Sequence, residues 1–381
     1  MEYRRVWAEI NLGNLAHNIV SIRKHVPAGT ALMGIVKADA YGHGAVEVAG
    51  TMANNGADFL GVAISEEGVQ LRQAGITAPV LVMGFTPPHI LSEVVRHDLI
   101  QTVFSIEGAA ALSKTAARMG KRAIVHIEVD TGMSRLGFMP NPEGIQAICD
   151  IARDPNLLVQ GIFTHFATSD QLDYSFMHEQ EARYNHVLGE LTRRGLHIPY
   201  RHMSNSGAVI QTVRGNMPSV FMDITRVGIL LYGLPASAEL TQAYVPLGLK
   251  PVMRLMTQVS MVKHLEAGVG ISYSHIYKTN RETTIAVLPV GYADGYPRRL
   301  SHGGRVLVHG QHAPIAGAIC MDQCMADITG IPNVAPGDPV ALLGSKEEGL
   351  CADDLAEIVG TISYEIVCGI GKRVPRVYHG P

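Results

Sequence analysis

A chain of 381 residues, 47% of them hydrophobic, is long enough for two domains with sizeable cores. Its formal charge of −3, with no lysine or arginine block, argues against nucleic acid or an anionic membrane as a partner. No apolar run reaches the ~18 residues of a membrane span, and no signal peptide is expected, because Glu9 and Asn11 interrupt the short apolar segment behind Arg4-Arg5.

Asn11 reads as the N-cap of a first helix whose apolar stripe is Leu12, Leu15, Ala16, Ile19 and Ile22. Short apolar runs then recur at 31–37, 59–64, 79–83, 99–104, 123–129, 158–165, 200–204 and 224–231. Amphipathic helical patterns separate them, such as Tyr184, Val187, Leu188 and Leu191. Eight such units over about 220 residues fit a closed parallel (β/α)8 barrel at 11–235. An open doubly wound sheet fits less well, because no G-x-G-x-x-G follows the first run. After a Pro-Ala-Ser linker from Pro235 to about Pro246 the rhythm changes. Runs at 257–262, 284–290, 305–309, 314–319, 326–328 and 340–343, and a helix near 352–359 with Asp353 and Asp354 in its first turn, predict a mostly antiparallel β domain at 236–381. Residues 1–10 are a candidate addition to that domain.

The five cysteines, Cys149, Cys320, Cys324, Cys351 and Cys368, are an odd and sparse set that fits free thiols in a reducing compartment, hence a cytoplasmic location. No Cys/His spacing suggests a metal site.

Polar side chains gather where barrel strands end, the rim on which barrels carry function. Lys37 ends the first run and opens the glycine-rich turn Ala38-Asp-Ala-Tyr41-Gly42-His43-Gly44; an amine there can condense with an aldehyde beside a loop able to hold an anion. Glu128, Asp130 and Arg135 end the fifth run, His165 the sixth, Asn205 and Ser206 the seventh, and Arg226 lies in the eighth. Each has an ordinary structural use, but their joint placement on one rim points to a site, because polar groups in such apolar surroundings are costly unless paired or used.

These motifs resemble the alanine racemase family of pyridoxal-phosphate enzymes. The resemblance runs through Val36-Lys37-Ala-Asp-Ala-Tyr41, Asp130-Thr-Gly-Met-Ser-Arg135-Leu-Gly, Thr164-His165-Phe-Ala, Asn205-Ser206, Arg226-Val-Gly228-Ile229, Gly270-Ile-Ser-Tyr273, Gly291-Tyr292-Ala-Asp294, Cys320-Met321-Asp322-Gln323 and Arg373-Val-Pro-Arg376. It implies a barrel joined to a β domain, and a homodimer with shared active sites that interconverts L- and D-alanine, supplying D-alanine for the cell wall.

By the same resemblance, Lys37 carries pyridoxal 5'-phosphate as a Schiff base and serves as the base on the D side. Tyr273 of a second subunit is the base on the L side, with His165 and Arg226 favouring its anion. Arg226 faces the pyridine nitrogen, and its high pKa would keep the ring a weaker electron sink. Tyr41, Asn205, Ser206, Gly228, Ile229 and Lys372 would bind the cofactor, and Arg135, Met321, Tyr292 and Asp322 the substrate. Two positions depart from the family's common pattern. Glu128 stands where many members carry a carbamylated lysine, and would supply a fixed negative charge without carbon dioxide. Lys372 stands where a tyrosine is expected against the phosphate, which would relax discrimination between alanine and serine. A serine or broad-specificity racemase therefore stays open. A decarboxylase of the same fold is disfavoured by Arg226, and a non-catalytic pyridoxal-phosphate-binding barrel by the second domain.

Overall fold

The computed structural model describes residues 5–217 and 220–380; Met1–Arg4 of the proposed N-terminal addition and Pro381 lie outside the described residues. Eight parallel strands form one sheet: Ala31–Ile35, Phe59–Val62, Val80–Val82, Ile100–Val103, Ala123–Glu128, Leu157–Phe163, Tyr200–His202 and Ile224–Val227. They follow chain order, and the last pairs with the first, Ala31 opposite Ile224. The seventh and eighth meet through Asp223, whose N–H donates to the Arg201 carbonyl at 3.0 Å, and through the hydroxyls of Ser204 and Thr225. The sheet thereby closes around an interior of fully buried runs such as Phe59–Val62 and Val80–Val82, which is why these strands read as continuous apolar segments. The first helix, Leu12–Arg23, is capped as expected: the Asn11 side chain accepts from the Asn14 N–H at 2.9 Å.

A six-stranded sheet combines Gln311–Pro314, Arg305–Val308, Pro339–Leu343, Met253–Gln258, Val6–Asn11 and Arg376–His379 in that order. Val6–Asn11 thus crosses from the N-terminus to pair with strands more than 240 residues away. A second sheet holds Met261–Leu265, Thr283–Leu288 and Cys324–Asp327, and a two-stranded hairpin, Gly270–Ile271 with Tyr277–Lys278, carries Tyr273. One apolar core joins the early barrel strands to the β sheets, from Leu32 and Leu60 to Leu255 and Leu342. A separate core lies under the helices of the later strands, around Val125, Ile148 and Tyr184.

Three runs differ from the sequence reading. Residues 257–262 are the end of one strand and the start of another in a different sheet. Val259 N–H bonds Asp338 and Ser260 N–H bonds Val287, so the chain changes sheets with no glycine or proline to mark it. The run at 314–319 ends as a strand at Pro314. Beyond it Gly317 takes φ +86°, and a Cβ there would lie 2.7 Å from the Ile271 carbonyl. The eighth barrel run stops at Val227, and Ile229–Tyr232 turns into a 3-10 helix. The helix at Ala352–Val359 falls where it was expected, with Asp354 accepting from the Cys351 N–H at 3.0 Å.

Candidate active site

Lys37 leaves the first barrel strand into a left-handed turn. Ala38, Asp39, Ala40 and Tyr41 all have φ between 52 and 54°, which costs roughly 1–2 kcal/mol for each such residue. Neighbouring side chains hold it. Glu67 accepts from the Ala38 N–H at 2.6 Å, Asp39 from the Ala45 N–H at 2.8 Å, and His43 Nδ1 donates to the carbonyls of Ala40 and Tyr41 at 3.0 and 2.9 Å. Arg376, from the C-terminal strand, donates to the Gly42 carbonyl at 2.9 Å. The turn aims the Lys37 amine and the Tyr41 phenol into the same cleft.

That cleft, of about 490 Å³, opens at the C-terminal ends of the barrel strands. It brings together Lys37, Tyr41, Arg135, His165, Asn205, Ser206, Arg226, Gly228 and Ile229 from the sequence expectation, with Glu128 on its wall. Burial, and next the Arg135 guanidinium, hold the Lys37 amine below its ordinary pKa, which favours the uncharged nucleophile. At one end Asn205 caps the helix Ser206–Val213, accepting from the Ala208 N–H at 3.0 Å. The Ser206 hydroxyl accepts from the Gly228 N–H at 3.0 Å. A Cβ at position 228 would sit 2.5 Å from the Tyr41 hydroxyl, so only glycine lets these groups crowd into one corner.

At the floor Arg226 is buried and held through both terminal guanidinium nitrogens. It donates to His202 Nδ1 and the Thr164 carbonyl at 2.8 Å, to His165 Nδ1 at 3.2 Å and to the Met203 carbonyl at 3.3 Å, with the Phe163 ring 5.1 Å away. Burial lowers its pKa to about 10, so it stays a cation at neutral pH. His165, accepting at Nδ1 and pushed well below its ordinary pKa by burial and then by Arg226, is neutral. Positive charge at the floor therefore comes from Arg226, while His165 presents its Nε2 side to the cleft.

Glu128 is less readily ionised than the fixed anion expected of it. Burial raises its pKa to about 7 against the pull of Arg135 and Arg226, and its Oε2 has no hydrogen-bond partner. Because the folded value lies above the ordinary value of 4.5, folding favours the protonated acid. Its stabilising contribution is complete below about 4.5 and is lost as pH rises through about 7. In the cofactor-free chain, Glu128→Gln is thus expected to match the parent's stability near pH 4 and exceed it near pH 8, by up to about 3 kcal/mol. Calorimetric melting at the two pH values checks this, and an equal difference at both would contradict it.

Five expected residues lie elsewhere. Tyr273, Met321 and Asp322 line a separate surface hollow on the β domain, where Tyr273 is 68% and Met321 53% exposed. Tyr292 is bound to that surface through its N–H, which donates to the Cys320 carbonyl at 3.1 Å. The two loops are locked by buried Asp294, which accepts from Arg5 at 3.0 Å, Arg373 at 2.7 Å and the Gly291 N–H at 3.0 Å, while Arg373 also reaches Asp322 at 2.6 Å. Lys372 is a correction: it is exposed and does not line the barrel cleft. Tyr364 lines the cleft instead, its ring 5.9 Å from that of Tyr41, because the helix Ser363–Cys368 packs against the left-handed turn. The ground for relaxed serine discrimination at position 372 falls with it. A phenol opening a short helix ahead of Arg373-Val-Pro-Arg376 was the available sequence signal. Nothing local pointed to Glu67.

Models of the alanine racemase N-terminal and C-terminal domains match residues 10–236 and 252–378. The chain belongs to the alanine racemase family. It is 47% identical to an alanine racemase of Clostridium novyi over 98% of this chain and 95% of that protein, and 46% identical to one of Desulfovibrio desulfuricans over 98% of each. Among solved structures, alanine racemase of Clostridium difficile 630 superposes with a TM-score of 0.95 at 38% identity, covering 100% of this chain and 97% of that one. Alanine racemase from a D-cycloserine-producing Streptomyces lavendulae gives 0.94 at 36%, covering 100% and 98%. The family's two-part architecture, a parallel barrel followed by antiparallel sheets, is the one observed.

Proposed function

We propose that this chain interconverts L- and D-alanine with pyridoxal 5'-phosphate. The observation that carries the reading is the meeting, in one barrel-mouth cleft, of a lysine amine held below its ordinary pKa, a buried arginine and a hydroxyl-rich corner. The residues fit the cofactor. Tyr41, Ser206 and Tyr364 offer hydroxyls, and Gly228 and Ile229 offer backbone N–H groups, for a phosphate, while Lys37 offers the amine for the aldehyde and Arg226 a donor toward the ring nitrogen. When bound, the cofactor supplies a conjugated ring that makes the Cα proton removable.

The chain's own groups do the rest. Lys37 takes or returns the proton on one face of Cα, Tyr273 of a second copy does so on the other, and Arg226 supplies the positive field near the phenol. Arg135 and the Met321 N–H receive the substrate carboxylate, while Tyr292 and Asp322 narrow the approach. The reading includes a homodimer, a barrel at 11–235 with a β domain at 236–381, a cytoplasmic location and D-alanine supply for the cell wall. Among the described residues no helix is long and apolar enough to cross a membrane.

The test is solvent exchange. In D2O the cofactor-loaded enzyme is expected to place deuterium at Cα of both alanine enantiomers, read by proton NMR, as each converts into the other. Absence of exchange from both would overturn the reading.

A further inference from the structure

Arg226 rests on a second layer of side chains that crosses the barrel interior. His202, at the end of the seventh strand, accepts its guanidinium proton at Nδ1, and its Nε2 lies 2.9 Å from Nδ1 of His126 on the fifth strand. His126 Nε2 in turn lies 3.4 Å from Oε1 of Gln160. Both histidines are fully buried.

The proton positions follow from donor logic. A guanidinium only donates, so His202 Nδ1 carries no proton. Burial depresses both rings, His126 to about 4, so both are neutral at pH 7. A neutral His202 then holds its proton on Nε2 and donates to His126 Nδ1. His126 holds its own on Nε2 and donates to Gln160. Every bond in the row points the same way.

The backbone is shaped for this row. Between the fifth and sixth strands Val125 pairs with Val159, yet His126 pairs with Gly161, so Gln160 is the extra residue of a bulge. A bulge re-aims a side chain, and here it turns Gln160 to His126. A Cβ on Gly161 would lie 2.6 Å from the His126 ring, so the glycine makes the room.

We propose that His126 is a positioning residue for the racemisation site, holding His202 in the tautomer that accepts from Arg226 and thereby fixing the guanidinium at the cleft floor. Without an acceptor at position 126 the His202 Nε2–H is buried and unpaired, and His202 relieves this only by moving the proton to Nδ1 or by turning its ring, either of which breaks the 2.8 Å bond to Arg226. This rests on the function proposed above, through Arg226.

The test compares His126→Phe, which fills the space without an acceptor, with His126→Asn, whose Oδ1 replaces Nδ1. In 15N-histidine NMR of the cofactor-loaded enzyme, His202 is expected to show the Nε2–H pattern in the parent and the Asn variant, and to lose it in the Phe variant. The kcat for alanine is expected to fall roughly 10- to 100-fold in the Phe variant with KM nearly unchanged, and to recover in the Asn variant. An unchanged His202 pattern in the Phe variant, or a changed pattern with the parent's kcat, would overturn the proposal. If the Phe variant does not fold, Gln160→Leu takes its place: a loosened His126 tautomer and a few-fold lower kcat are expected, and the absence of both changes would overturn the proposal. The NMR arm reports independently of activity, so a parent without racemase activity would sink the function and leave the tautomer result standing.

Discussion

Two inactive variants, Lys37→Ala and Tyr273→Ala, are expected to regain activity when their subunits are mixed. Within one chain Lys37 faces the barrel cleft and Tyr273 lines a different hollow, largely exposed. A second copy related by a two-fold axis can place its Tyr273 against the first copy's cleft. Random pairing of the two variants makes about half the dimers mixed, and each mixed dimer carries one intact site, so about a quarter of the parent's activity should return. Each variant alone is expected to lose at least about 10³-fold in kcat. Refolding the two together and assaying racemisation reads the outcome. No recovery from demonstrably mixed dimers would mean that Lys37 and Tyr273 do not serve one site across the interface.

Arg226→Glu is expected to lower racemisation by roughly 10²- to 10³-fold while raising the share of pyruvate formed. The guanidinium meets only acceptors: His202 Nδ1, His165 Nδ1 and the carbonyls of Thr164 and Met203. A carboxylate in their midst has no donor until the imidazoles shift their protons or one proton is taken up. The same exchange replaces a group that cannot protonate the ring nitrogen by one that can share a proton with it. With a stronger electron sink bound there, the outcome would shift toward transamination, in which the substrate's amino group stays with the cofactor and pyruvate is released. Measuring D-alanine and pyruvate from one reaction gives the ratio. An unchanged ratio would remove the proposed role of Arg226 in guarding the outcome, whatever the loss in rate.

The barrel was legible because its strands are buried on both faces. Phe59–Val62 and Val80–Val82 are apolar at every position, and such runs separated by amphipathic helices have few other architectures. The β domain was less legible. Residues 257–262 pass between sheets without a breaker, and Val6–Asn11 joins a sheet whose other members lie at the far end of the chain. The polar residues of the cleft were legible for the reason the barrel was: they follow an apolar run or, like Arg226, interrupt one, and the rim gathers them.

By itself the sequence determined the barrel's strand count and placed Lys37, Arg226, Ser206 and Gly228 at the rim where the cleft lies, because each is marked by the apolar run beside it. The tertiary structure alone decided the left-handed turn braced by Glu67, the choice of Tyr364 over Lys372 on the cleft wall, the raised pKa of Glu128 and the proton order along His202 and His126. These depend on which groups distant in sequence are brought within about 3 Å and kept from water. At that range desolvation and the donor's direction, rather than residue type, decide where a proton resides.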